Sequence, residues 1–314
     1  MSIHPSACVH PDARIAPDAV IGPYAVIEGP AEIGPGCVIQ SHAVVTGHVV
    51  MGAGNVIGYG AIVGADPQDF GFQPGVRSQV ILGERNRIRE YCTLHRGTQE
   101  GSATVVGDDC FLMAGVHLAH NCRVGNRSVL ANNALLGGHV QLGERVFVGG
   151  GCVFHQHIRV GSLAICQGGS AFSKDVPPFC IGAERNGVAG LNVVGLRRAG
   201  FSAQTRAGIK AAFDLLYRRG LNLTQALQKA AESEGEEEKS SKRKDSGVVE
   251  AAADGGVIDG LFQRKTQRWP ARRAEWRTRR HVRHHVPVDE HPNVGQVLGL
   301  AIFVVVIESV LPNV

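Results

Sequence analysis

Four histidines between residues 117 and 155 are the side chains of this sequence best suited to chemistry near neutral pH. His117 and His120 stand three apart, His139 follows His120 by nineteen residues, and His155 follows His139 by sixteen. An imidazole can take up and return a proton, ligate a metal ion, or simply lie solvated on a loop. Zinc ligation would need three rings converging on one ion at about 2.1 Å. A spacing close to eighteen suits something else: rings set on successive turns of a repeating structure, along one edge.

The elements that would set them there are written into the same stretch. Aliphatic residues recur at Leu112, Leu118, Val124, Leu130, Leu136, Leu142 and Val148, each six after the last. Four places after each comes a small or β-branched residue: Val116, Cys122, Ser128, Ala134, Val140, Val146 and Cys152. A six-residue repeat of this kind is the signature of a parallel β-helix, in which stacked coils of about eighteen residues bury one aliphatic side chain per short strand. Coils stack at about 4.8 Å, so His120, His139 and His155 are expected along one prism edge within roughly 10 Å.

The repeat starts at Ile3 and holds one register through Val63. It breaks at 66–79 (DPQDFGFQPGVRSQ), resumes at Leu82, Ile88 and Leu94, breaks again around 97–104, and then runs to about Phe172. The first break must leave the prism as a loop, and loops on rigid scaffolds often carry function. Its Asp69 could accept hydrogen bonds from a hydroxyl or amide, or be an ordinary solvated turn residue. The cysteines at 37, 92, 110, 122, 152 and 166 follow the core period and show no CxxC spacing, so they read as small buried hydrophobes.

Composition agrees with a narrow aliphatic interior and tight corners: 41 glycines, 44% hydrophobic residues and only 5% aromatics in 314 residues. The net charge of +4 does not by itself point to a nucleic-acid partner. The N-terminus, MSIHPSACVHP, lacks a basic segment followed by an apolar one, so no secretory signal is expected and the protein reads as cytoplasmic. After VPPF the grammar turns helical. A short helix is expected over 192–198, ended by Gly200. A longer one, capped by Ser202, carries the stripe Ile209, Ala212, Phe213 and Leu216, and a third is capped by Thr224.

The expected organisation is therefore a β-helix over 1–188, helices over 189–234, and a tail over 235–314 that reads as disordered, as a shifted reading frame or as a recent extension. Trp269 and Trp276 among arginines invite a nucleic-acid reading, but no fold-forming pattern surrounds them. The apolar run at 297–307 is well short of the roughly 20 residues of a membrane span.

The motifs on this background resemble one family closely, the UDP-N-acetylglucosamine O-acyltransferases that begin lipid A biosynthesis. The matching blocks are PQDF at 67–70, RNRIREYCTLHRGT at 85–98, HLAHNCRVGNRSVLANNALLGGHV at 117–140 and HQ at 155–156. KDVPPF at 174–179 and GLNVVGLRRAGFS at 190–202 follow in the family's order.

The resemblance implies a left-handed β-helix, a homotrimer and a C-terminal helical domain. It implies transfer of a 3-hydroxyacyl group from acyl carrier protein to the 3-hydroxyl of UDP-N-acetylglucosamine, with no cofactor and no metal. His120 would be the general base, Asn121 its orienting partner where many members have Asp, and Gly138 the oxyanion donor. Asp69, His117, His139, His155 and Gln156 would contact the substrate, and Asn192 and Arg198 would lie near the nucleotide and its phosphates. Gly168 would line the acyl groove, where glycine leaves room for a long chain. The chain departs from the family pattern at Gly71, Val194 and Ala199, which stand in place of a lysine, an acid and a second arginine.

Two other readings share the repeat. Another hexapeptide acyltransferase, using coenzyme A or a different sugar, would keep the prism and a histidine but not all of these blocks together. A zinc lyase of the γ-carbonic-anhydrase type would need converging histidines, for which spacings of three (117/120) and two (155/157) suit poorly.

Overall fold

Alternation within each two-residue strand builds the interior. In Phe111–Leu112, Phe111 stands outward and Leu112 is fully buried, and the same holds for Leu135–Leu136 and Phe147–Val148. The small residue four places on is buried as well, from Val116 and Cys122 through Ala134 and Val140 to Cys152. Ser128 occupies one such position with its hydroxyl satisfied, donating to the Gly143 carbonyl oxygen and accepting from the Val146 N–H. Burying one aliphatic side chain contributes roughly 2 kcal/mol. No single hexad decides the fold, but an unbroken column of them does.

The computed structural model describes residues 2–222, 224–226 and 228–230. Expectations for 235–314, including Trp269, Trp276 and the apolar run 297–307, lie outside the described residues. The described residues fall into two compact units, 2–206 and 207–230.

The first unit is a left-handed parallel β-helix of three sheets. The first face has eleven strands, from Ser2–Ile3 to Gly187–Leu191. The second has nine, from Cys8–Val9 to Ala171–Phe172, and the third has eight, from Arg14–Ile15 to Arg159–Val160. Where coils are regular, partners lie eighteen apart, as in Leu112 with Leu130. Leu82 pairs with Val106 and Leu94 with Leu118, twenty-four apart, while Val56 pairs with Arg87, thirty-one apart. The excess residues are the two excursions anticipated from the breaks in the repeat. Both leave from the second face, after Ile62–Ala65 and Thr93–His95, and both return on the third, at Gln79–Leu82 and Ala103–Val106. They therefore emerge on one edge of the prism.

The β grammar runs further than the hexads do. Cys180–Ala183 adds a parallel rung to the first face, with Ile181 against Ile165, and then pairs antiparallel with Gly187–Leu191. That last strand crosses the expected boundary at residue 188. Helix α1 (Val193–Arg198) follows, its N-terminus capped by Asn192 accepting from the Gly195 N–H, and Gly200 ends the segment with φ +88°.

Helix α2 (Ala203–Tyr217) has Ser202 accepting from the Thr205 N–H at its start. Within the second unit Ile209, Ala212 and Phe213 are buried, and Asp214 pairs with Lys210 and Arg218. The cap of the next helical residues is Asn222 rather than Thr224. Asn222 accepts from the Gln225 N–H and donates its own N–H to the Gln225 side chain, a reciprocal pair that Thr224, itself helical, cannot make. Among the described residues no helix is long and apolar enough to cross a membrane.

Candidate active site

On three consecutive coils the chain turns from the second face to the third through a residue in the left-handed region, a conformation that Asn and His tolerate better than most. This residue is Asn121, His139 and His157 in turn, with φ of 63°, 62° and 67°. Identical corners place identical positions directly above one another. The His139 and His157 rings accordingly stack, centroids 4.6 Å apart and planes 14° apart, while His120 meets His139 edge-on at 5.2 Å.

The third ring of this column is thus His157 and not His155, as the spacing of sixteen suggested; eighteen is the period that puts a residue in register. His155 is exposed on the same coil beside Gln156, its Nδ1 3.2 Å from the Gln156 carbonyl oxygen. Among the described residues no three His, Cys, Asp or Glu side chains are placed to hold a metal ion.

His120 is fixed by its neighbours. Its Nδ1 lies 3.0 Å from Asn121 Oδ1, which also accepts from the Thr98 backbone N–H at 3.2 Å and the Thr98 hydroxyl at 3.1 Å. A backbone N–H can only donate, so the Asn121 atom facing it is the oxygen. The proton between the two side chains must then sit on His120 Nδ1, which leaves Nε2 with its lone pair free. Gly138 is directly above: a Cβ there would lie 2.4 Å from His120 Cε1 and 2.6 Å from Nε2. Only glycine lets the ring occupy this position. The Gly138 N–H has no acceptor among the described residues, while its carbonyl takes the His157 N–H at 2.9 Å.

Deeper along the edge, His117 Nδ1 lies 2.7 Å from the Thr93 hydroxyl, and its ring meets His95 edge-on at 5.1 Å. Burial, and secondarily His95, push the His117 pKa down to about 4, so the ring is neutral at physiological pH. His139 is also held below the usual histidine value, chiefly by burial and then by His157 and His120.

The first excursion is tied to the prism by Arg96, which sequence reasoning did not single out. The residue is 1% exposed; its guanidinium donates to Asp66 Oδ1 at 2.8 Å, to the carbonyls of Pro74 and Val76, and to the Ser78 hydroxyl, and it lies 4.8 Å from the centre of the Phe72 ring. Asp69 sits at the exposed tip of this loop, accepting from the Gly71 N–H at 2.8 Å.

The remaining expected site residues occupy other edges. Gly168 lies on the turn from the first face to the second, where a Cβ would be 3.2 Å from the Gly150 carbonyl oxygen. Asn192 is buried, its amide committed to the α1 cap and to the Leu163 carbonyl at 2.8 Å. Arg198 lines a cleft between α1 and the first face, and Val194 and Ala199 border the same cleft.

A rigid prism with a polar histidine edge and loops gathered beside it defines a hexapeptide-repeat transferase, and residues 12–47 and 103–138 match the family described as bacterial transferase hexapeptide (six repeats). Residues 175–246 match a second description, Udp N-acetylglucosamine O-acyltransferase, domain 2. Together with the similarities below, this shows that the chain belongs to the UDP-N-acetylglucosamine O-acyltransferase family.

It is similar to the acyl-[acyl-carrier-protein]–UDP-N-acetylglucosamine O-acyltransferases of Ralstonia nicotianae (54% identical; 54% of this chain, 64% of that one) and Verminephrobacter eiseniae (46%; 54% and 65%). The similarity thus spans just under two thirds of those relatives' length. The Polynucleobacter asymbioticus protein of the same description is 50% identical over 62% of this chain and 76% of its own. Among solved structures, the UDP-N-acetylglucosamine acyltransferase of Francisella novicida superposes with a TM-score of 0.72 at 34% identity, covering 75% of this chain and 87% of that one. The enzyme of that description from Campylobacter jejuni gives 0.69 at 38%, covering 74% and 90%.

Proposed function

We propose that the chain transfers a 3-hydroxyacyl group from acyl carrier protein to the 3-hydroxyl of UDP-N-acetylglucosamine, the first step of lipid A biosynthesis, with His120 as general base. The observation that carries this is the fixed tautomer of His120: Nδ1–H given to Asn121, Nε2 left basic, and next to the ring Gly138, whose peptide N–H has no acceptor among the described residues. His120 Nε2 takes the proton of the sugar hydroxyl as its oxygen attacks the thioester carbonyl. The carbonyl oxygen gains the electron pair and is met by the Gly138 N–H. The intermediate collapses, the C–S bond breaks, and the departing thiolate receives the proton from the imidazolium. The names of the relatives supply the substrate classes, and the family background supports a cytoplasmic enzyme.

Three edges carry the expected site: the histidine edge, the turn at Gly168 and the Arg198 cleft. In one chain these are turned away from each other. We infer a homotrimer in which the edge of one copy faces a neighbour, so that the histidines of one and the cleft of another address the same sugar nucleotide. In this arrangement Asp69, His117, His139, His155 and Gln156 contact substrate, and Asn192 holds α1 and so Arg198 in place.

The reading is tested by offering the chain 3-hydroxyacyl carrier proteins of graded length, with coenzyme A thioesters alongside, and measuring acylated UDP-N-acetylglucosamine. A chain inert with every carrier-protein donor overturns it, and preference for coenzyme A thioesters favours the broader hexapeptide class. On the same panel, Gly168→Met is expected to move the preferred acyl chain several carbons shorter, and an unchanged optimum would remove Gly168 from the groove.

Asn121 offers a second check. An amide oxygen orients the ring but supports the imidazolium less than a carboxylate does. Asn121→Ala is therefore expected to lower kcat about tenfold, the worth of a hydrogen bond of roughly 1–2 kcal/mol. Asn121→Asp should raise kcat severalfold, and kcat unmoved in both variants would show that the ring is oriented by something else.

A further inference from the structure

The cleft beside α1 is an open recess of about 340 Å³, within the range of small-ligand clefts. Its walls are apolar at Phe147, Leu163 and Ile165, Asn192 closes it, and two exposed arginines, Arg145 and Arg198, line it with no acidic residue among the lining. Neither arginine has a carboxylate partner among the described residues.

That is informative for Arg145 because the chain contains its twin. Residues 82–85 and 142–145 both read LGER, and both arginines sit at left-handed corners with φ of 55°. Arg85 is spent on carboxylates: it holds Asp109 through two nitrogens at 2.7 and 3.0 Å, and Glu84 besides. Arg145 has the same backbone, anchored by its N–H on the Asn126 carbonyl at 2.8 Å and followed by buried Val146, yet among the described residues its side chain has no carboxylate partner, and the residue lines the cleft. Two like charges on one apolar recess repel unless an anion lies between them. A planar fork donates to phosphate oxygens in pairs.

We propose that Arg145 is a substrate-binding residue that, with Arg198, grips the diphosphate of a nucleoside diphosphate, whose apolar face rests on Phe147. This deepens the function proposed above and rests on it for the nucleotide.

The test uses the full chain, with UDP as probe in equilibrium dialysis and UDP-N-acetylglucosamine in kinetics. Arg145→Asn removes the charge while remaining at home in the left-handed conformation, and Arg145→Lys keeps the charge without the fork. Arg145→Asn is expected to weaken UDP binding at least tenfold and raise KM by a similar factor with kcat within threefold. Arg145→Lys should recover part of the loss, and neither variant should shift the thermal unfolding midpoint. If both variants bind UDP within twofold of the parent, Arg145 has no such role, while continued transfer by the parent leaves the acyltransferase reading standing. Loss of binding that comes with a lowered midpoint also overturns it, because the role is then structural. If the parent itself binds no UDP and transfers nothing, the proposal falls together with the reading beneath it.

Discussion

Replacing His120 by alanine is expected to lower kcat/KM for acyl transfer by roughly 10²–10⁴, the usual contribution of a positioned general base, with little change in KM. A thousandfold loss corresponds to about 4 kcal/mol of transition-state stabilisation. The attribution to proton transfer rests on what surrounds the ring. Asn121 accepts the Nδ1–H hydrogen bond and leaves Nε2 as the basic nitrogen of the ring, and the proposed oxyanion donor, the Gly138 peptide N–H, has no acceptor among the described residues. His139 and His157, the other rings of the column, are not interchangeable with it: their stacking replaces such a hydrogen-bonded tautomer lock, and their alanine variants should retain far more activity than His120→Ala. The measurement is steady-state transfer at saturating donor, with circular dichroism to show that the β-helix persists. Loss of less than tenfold would mean that another group takes the hydroxyl proton.

Why the prism could be read from the chain while parts of the site could not is a matter of range. The hexad is a local code: Leu112 and Val116 each declare their own burial, and eighteen residues make a coil whatever the corners contain. The error at His155 came from allowing sixteen to count as in register, when the left-handed corner repeats strictly and selects His157. The final hairpin, Cys180–Leu191, was missed because its rung is not set by the hexad period but by pairing to a strand sixteen residues earlier, Ile181 against Ile165. Arg145 was passed over for a different reason. LGER reads as a solvated corner in both of its copies, and only the fold reveals that one copy faces carboxylates and the other a cleft.

Arg96 is the clearest case of a residue whose importance no local pattern announces, since its partners lie eighteen to thirty residues upstream. Arg96→Ala is expected to destabilise the chain by about 2–3 kcal/mol and to free the loop at 66–78. Removing the guanidinium leaves buried acceptors unpaired and a void beneath Phe72. The figure stays below that for a fully buried ion pair because the Asp66 carboxylate is 58% exposed and remains solvated when its partner is gone. Arg96→Lys should recover little: one ammonium cannot meet Asp66, Ser78 and two carbonyls spread along the loop while also lying against an aromatic ring. Because this loop carries Asp69, its loosening should raise KM for the sugar nucleotide more than it lowers kcat, which separates it from loss of the base. Hydrogen exchange over 66–78 provides the direct reading. Fast exchange in both variants with the hexad strands still protected would place Arg96 as the peg of the loop, and parent-like protection would show that the loop holds its shape through its own turns.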